Sequence, residues 1–338
     1  MKNPFLFVVG CQRSGTTLLQ HVLDSHPDTA IMQEAGWFGT WYEMGIGMTP
    51  QHCVIADFIP ILLRTCKNID LGVSSRELLE TIASGGPYHY RDFVSTIFDR
   101  FSAARGKLLA GSKNPDYLRH LPTLHHLWPD AKFIHIIRDG RDVCLCAADR
   151  WKNKPGFQGF PFFLYESPDR IFDDWEEDPV TTSALWWEWT VGLGRRFGRL
   201  LGSKMYYEMR YEDLVTRPRE ECIALCAFLG LAFDEAMLRH EENFKPRRAP
   251  GGKILHARVG LPITSGLRNW RTEMTAAELG RFEAAAGSFL DELRYERGVR
   301  NVQARDCDRA AKIRELFDKV APTSLPAAGT GKPEGIVV

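Results

Sequence analysis

The sequence predicts an α/β fold: three layers, with a central parallel β-sheet flanked by helices, plus a helical insert. Three observations predict it. An apolar run, a glycine-bounded turn and a helical pattern follow one another between Pro4 and Ser25. Further β-rich runs then alternate with helical patterns, the order that builds a parallel sheet through crossover helices. The composition is that of a packed globular chain, with 44% hydrophobic and 25% charged residues over 338 positions, enough for one large α/β domain or two small ones.

The elements can be justified in order. Pro4–Gly10 reads as a buried strand and Ser14–Ser25 as a helix, which His26-Pro27-Asp28 ends because proline disfavours helical geometry in the residue before it. A short strand over Ala30–Gln33 follows. Residues 35–105 carry helical patterns at Val54–Arg64, Ser75–Ile82 and Arg91–Arg105. The stretch is too aromatic for a linker and reads as a helical insert capping the acceptor side. Lys107–Ser112 is a second core strand, followed by the turn Lys113-Asn114-Pro115 and a helix to about Leu127. Lys132–Ile137 is a strand of strong β character, and Asp142–Asp149 is helical. Residues 152–180 read as a lid loop, Thr182–Leu201 as a helix, Met205–Met209 as a strand and Arg219–Leu229 as a helix stopped by Gly230. Lys245–Thr275 is a basic, Gly-rich loop. Thr275–Leu293 is an amphipathic helix, with Thr275 and Glu278 spaced as a capping box. One domain is expected over 1–300, then a helix over 301–321 and a disordered tail over 322–338.

Charge and cysteine content narrow the function. Lys plus Arg and Asp plus Glu both number 43, so the basic excess of a general nucleic-acid binder is missing. The eight cysteines include no Cys-x-x-Cys and the histidines no His-x-x-x-His. Free thiols in a reducing compartment are therefore preferred over a metal site. No apolar run is long enough to span a membrane, and 4–10 is too short for a signal-peptide core. A cytoplasmic protein is the expectation.

Four places carry chemistry. Val8 to Thr17 reads Val-Val-Gly-Cys-Gln-Arg-Ser-Gly-Thr-Thr. A strand, a glycine-bounded turn and a helix N-terminus converge there, and unsatisfied amides with the helix dipole favour an anion. The loop resembles a phosphate-binding P-loop, but Thr16 follows Gly15 where the usual lysine would stand, and the cation sits earlier, at Arg13. Ser14, Gly15, Thr16 and Thr17 complete the cradle. Arg138, at the carboxyl end of a strand, is placed to meet a second phosphate. Lys113 lies just beyond another strand, where an ammonium neutralises charge on a transferring group. Glu34 repels anions, so beside an anion loop its use is as a general base toward an acceptor hydroxyl.

Together these four elements resemble a sulfotransferase using 3′-phosphoadenosine 5′-phosphosulfate (PAPS), over about residues 5–295. Arg-Ser-Gly-Thr-Thr at 13–17 looks like the 5′-phosphosulfate loop in the arginine form of bacterial and tyrosylprotein enzymes. Leu23-Asp24-Ser25-His26-Pro27 is similar to the tyrosylprotein stretch that precedes a catalytic glutamate, at the spacing Glu34 holds. The resemblance implies that Glu34 is the base, that Lys113 contacts the sulfuryl group, and that Arg13 assists. It implies that Arg138 meets the 3′-phosphate. Cys146 stands where the family has serine, with Arg141 or helix-start amides as stand-ins. Tyr211, in Tyr211-Glu212-Asp213-Leu214, would lie near the adenosine, with Arg258 and Ser265 as ligands from the carboxyl-terminal Gly-x-x-x-Trp-Arg region.

The implied reaction moves the sulfuryl group from PAPS to a hydroxyl, giving a sulfate ester and 3′,5′-ADP, with no metal. The source would be bacterial. A small-molecule, peptide or sugar acceptor is expected, and tyrosine peptide, sugar, lipid and secondary metabolite all stay open, as does a homodimer. Two rival readings stand beside it. A P-loop small-molecule kinase needs the missing lysine and a magnesium-binding aspartate, for which only Asp139 offers. A non-catalytic nucleotide-binding interaction protein has no use for Glu34.

Overall fold

Five short strands form the centre of the protein. The computed structural model describes residues 5–35, 37–65, 88–152, 178–244, 246–248, 254–255, 257–266 and 268–320, with isolated positions between 74 and 80. The lid expected over 152–180 (save its ends), most of Ser75–Ile82 and the tail 322–338 lie outside these residues.

The strands are β1 (Leu6–Val9), β2 (Thr29–Gln33), β3 (Leu109–Lys113), β4 (Lys132–Ile137) and β5 (Tyr206–Arg210). Their order is β2-β3-β1-β4-β5, and every pairing is parallel. This is the predicted α/β class. β1 sits in the middle; on one side β2 takes the far edge and β3 fills the gap beside β1, and on the other β4 and then β5 extend outward. In such sheets the crevice at the carboxyl ends of the central strands binds ligands.

Side chains alternate along β1 because a strand has period two. Leu6 and Val8 pack with Leu19, Val22, Ile134 and Ile136 on one face. Phe7 and Val9 pack on the other with Phe98, Leu118 and Phe133. The Phe7 ring lies 5.5 Å from those of both Tyr117 and Phe133, and 5.6 Å from Trp128. Both faces are covered, so the strands read as unbroken apolar runs.

α1 (Thr16–Asp24) covers the first face. α2 (Trp37–Met44), α3 (Ile59–Thr65), α4 (Tyr90–Ala103) and α5 (Leu121–Leu127) follow along the chain. α4 places Phe93, Ile97 and Phe98 in the core beside Phe7. Part of the stretch read as an insert over the acceptor side is therefore a wall of the sheet itself. Trp37, Phe38 and Tyr42 are buried in that same core.

α6 (Gly140–Lys152) and α7 (Pro179–Leu201) come next, then α8 (Tyr211–Thr216) and α9 (Pro218–Leu229), which the left-handed Gly230 ends. The basic loop predicted over Lys245–Thr275 is more ordered than expected. It contains the two-stranded hairpin Arg247–Arg248 and Ile254–Leu255, a 3₁₀ turn at Ala257–Gly260, and α10 (Trp270–Glu273). The capping box of α11 (Ala276–Glu292) is present, with Thr275 and Glu278 bonding reciprocally. α12 (Ala304–Val320) buries Ala310, Ile313 and Phe317 against α7 and α11. Among the described residues no helix is long and apolar enough to cross a membrane.

Candidate functional site

Each of the five strands delivers a predicted site residue at its carboxyl edge. The anion loop follows β1, Glu34 follows β2, Lys113 ends β3, Arg138 follows β4 and Tyr211 follows β5.

The loop is built around close approaches. A Cβ on Gly10 would stand 2.6 Å from the Ile136 carbonyl oxygen. Gly15 has φ +94°, and a Cβ there would stand 2.5 Å from Tyr211 Cδ2. Only glycine fits both demands. Gly15 is also the N-cap of α1 and contributes no capping side chain. The first-turn amides, which lack intrahelical acceptors in any helix, therefore have no side chain of the N-cap residue on them. Arg13 adopts φ +71°, an uncommon conformation for a non-glycine residue. Ser14 is buried and its Oγ has no partner in the protein.

Lys113 and Glu34 form the second group. The Lys113 Nζ lies 2.7 Å from Glu34 Oε1, with the lysine side chain wholly buried and the glutamate half exposed. The pair is set by strand register, since Gln33 stands opposite Lys113 in the β2–β3 pairing. The Glu34 amide donates to the Lys113 carbonyl at 2.7 Å. Glu34 has φ +47°, a left-handed conformation that costs about 1–2 kcal/mol for a residue bearing a Cβ. On the other side, Lys113 is paired in register with Val8 of β1, the strand that leads into the loop.

Arg138 is the centre of the third group. Its Nη1 is 3.4 Å from the Arg13 carbonyl oxygen and 3.8 Å from Cys146 Sγ. Nη2 donates to Asp142 Oδ2 at 3.4 Å. The guanidinium carbon stacks 4.3 Å above the Tyr211 ring, and Nε is buried without a partner. Tyr211 thus lies between Gly15 and Arg138 and ties the loop to the end of β4. The Trp187 indole donates to the Arg138 carbonyl at 3.0 Å. Burial pushes the Asp142 carboxyl above its usual range, against the pull of Arg138.

Arg141 does not serve as the stand-in cation that the sequence offered. It is fully buried, donates to Asp139 Oδ2 at 2.7 Å and Glu283 Oε1 at 2.9 Å, and stacks 3.6 Å from the Trp270 ring. Its charge is consumed inside the fold. Glu212 is likewise internal: it accepts from the Asp139 amide at 2.9 Å and from the Tyr295 hydroxyl at 3.1 Å.

Arg268 is a cation that sequence reasoning missed. It lies within hydrogen-bonding reach of the Cys146 thiol and donates to Glu273 Oε2 at 2.5 Å. Its place is set by the next residues, because the Trp270 amide donates to Asp142 Oδ1 at 3.0 Å. The signal available was its position two residues before Trp270, in a segment already expected to fold over nucleotide. Arg258 and Ser265 are exposed. Arg258 nevertheless reaches the same neighbourhood, since the Glu273 carboxyl is held low by the Asn269 amide, then by Arg268 and Arg258. No contact assigns Ser265 to the cradle.

A glycine-bounded loop at a helix N-terminus, the arginines Arg138 and Arg268 and the Lys113–Glu34 pair are thus set along one edge of a parallel sheet. The chain belongs to the sulfotransferase family, whose family model matches residues 4–235. It is 27% identical over 330 residues to the nodulation protein NoeE of Sinorhizobium fredii, covering 94% of this chain and 72% of that one. It is 25% identical over 252 residues to the protein-tyrosine sulfotransferase of Drosophila melanogaster, covering 74% of this chain and 43% of the relative. The chain thus spans under half of that relative's length. The sulfotransferase domain of the Synechococcus PCC 7002 olefin synthase shares its fold, with a TM-score of 0.54 at 20% identity, covering 94% of this chain and 96% of that one.

Proposed function

We propose that the protein transfers the sulfuryl group of PAPS to an acceptor hydroxyl, releasing 3′,5′-ADP. The observation that carries this reading is the Lys113–Glu34 pair, 2.7 Å apart at the carboxyl edge of the sheet from which the loop also springs. Besides balancing Lys113, a carboxylate set there can take the proton of an acceptor hydroxyl.

The residues present suit the donor. The buried, unpartnered Ser14 Oγ and Arg138 Nε are polar groups that a bound anion would satisfy. The first-turn amides, Arg13, Ser14, Thr16 and Thr17 would hold the 5′-phosphosulfate. Arg138 and Arg268 would hold the 3′-phosphate from either side of Cys146, with Arg258 behind them, and Tyr211 would lie near the adenosine. Bound PAPS supplies the sulfuryl group in this scheme. Glu34 takes the acceptor's hydroxyl proton. As Glu34 becomes neutral, the buried Lys113 ammonium loses its counter-charge, and its attraction for negative charge on the oxygens across the cradle grows. A preorganised donor of this kind is commonly worth about 3 kcal/mol of barrier.

Glu34→Gln tests the reading. Turnover should vanish while 3′,5′-ADP binding, followed by calorimetry, stays close to wild type. Equal loss of both, or retained turnover, would refute the base assignment. The acceptor is a hydroxyl compound in this reading. Tyrosine is the acceptor of the Drosophila relative by its name, and labelled-PAPS transfer to cell extract followed by mass spectrometry would find the one used here.

A further inference from the structure

The geometry points to Tyr117 as a positioning residue for the Glu34 base, an inference that rests on the sulfuryl-transfer reading. Tyr117 lies in the 3₁₀ turn that follows Lys113 and is wholly buried. Its hydroxyl is 2.7 Å from the Ala35 carbonyl oxygen and 2.9 Å from Ser112 Oγ. The direction of this chain of bonds follows from proton count. A carbonyl only accepts, so the single phenolic proton goes to Ala35, and Ser112 must donate to the phenolic oxygen.

The two ends of the chain are the chain neighbours of the reacting pair. Ser112 precedes Lys113, and Ala35 follows Glu34. The Glu34 backbone is therefore gripped from both sides. Its own amide donates to the Lys113 carbonyl, and the carbonyl of the next residue accepts from Tyr117. Between those grips Glu34 keeps its φ of +47°. A residue in that conformation persists only where its surroundings over-determine it. The Tyr117 hydroxyl thus holds the peptide on the carboxyl side of Glu34, and its loss loosens the grip that keeps the carboxylate beside Lys113. The Tyr117 ring has a separate job in the core, packed 5.5 Å from Phe7 and 6.4 Å from Phe38.

Tyr117→Phe separates those two jobs, since it keeps the ring and removes the hydroxyl. The expected result is a fall in kcat of at least about tenfold, the scale of a small displacement of a catalytic group. The KM for PAPS and the affinity for 3′,5′-ADP should stay near wild type. In a Glu34→Ala background the same substitution should change the residual rate not at all, because residues acting through one another are not additive. Should Tyr117→Phe fail to fold, Ser112→Ala weakens the same chain of bonds and should give a smaller loss, again absent in the Glu34→Ala background. A Tyr117→Phe enzyme with wild-type kcat, or one whose loss persists without Glu34, overturns the positioning role alone. A Glu34→Ala enzyme with full turnover overturns the base reading and this inference with it.

Discussion

Arg141 and Glu283 are both fully buried and lie 2.9 Å apart, although 142 residues separate them in the chain. Three residues before Arg141, Arg138 has a buried Nε with no partner and a face turned to the anion loop. Two arginines of one short segment thus hold opposite posts. Arg141 is held by Asp139 and Glu283 inside the protein, while Arg138 shares the Asp142 carboxylate at 3.4 Å and is the one proposed to meet a ligand phosphate.

Substitution should separate them. Arg141→Ala strands the carboxylates of Asp139 and Glu283 in the interior, and breaking a buried pair from one side costs about 3–5 kcal/mol. Urea denaturation should show a large drop in midpoint. Arg138→Ala should lower stability less. It should weaken 3′,5′-ADP binding by about 2 kcal/mol, within the range of a hydrogen bond to a charged group. Calorimetry that found tight nucleotide binding by Arg138→Ala would remove Arg138 from the cradle.

Cys146 invites the opposite experiment. Its Sγ lies 3.8 Å from Arg138 Nη1, and a thiol donates weakly. A serine hydroxyl in its place is a full donor and acceptor. Cys146→Ser should therefore tighten 3′,5′-ADP binding by about 1 kcal/mol, the net value of one added hydrogen bond. Unchanged or weaker affinity would mean that the Cys146 side chain does not face the phosphate.

These cases mark what a single sequence reveals. The strand ends were legible because apolar runs and glycine-bounded turns are local signals, and they carried Arg13, Glu34, Lys113, Arg138 and Tyr211 to one edge. Pairings across the sheet were not legible. Nothing near Lys113 announces that its ammonium meets Glu34, 79 residues away. Nothing near Arg141 announces Glu283, so it read as a second phosphate ligand. Arg268 was passed over because its neighbour Cys146 comes from a helix more than a hundred positions earlier. The aromatics of α2 fall in the stretch that reads as a cap on the acceptor side, yet the structure buries Trp37, Phe38 and Tyr42 in the core.

His120 gives the stability a definite dependence on pH. It is buried, with Nδ1 2.8 Å from Glu43 Oε2 and Nε2 3.6 Å from Asp116 Oδ2. Burial alone would lower its pKa, but the hydrogen bonds to Asp116 and Glu43 and their charges outweigh it and raise the value to about 9. His21 and His135 go the other way: burial above all lowers them, to about 4 and about 3. The folded state holds the His120 proton more tightly than the unfolded chain does, so its contribution is complete below about pH 6.5 and is lost as pH rises toward 9. The depressed histidines contribute above about pH 6.5 and lose that contribution as pH falls toward 4 and below. Among the histidines, then, stability should crest near neutrality and decline toward pH 9 by about 3 kcal/mol, the value of the His120 shift by linkage. Denaturation by urea at a series of pH values would trace this curve. In His120→Gln the decline between pH 6.5 and 9 should flatten. A slope there equal to that of the wild type would show that Glu43 and Asp116 do not hold an imidazolium between them.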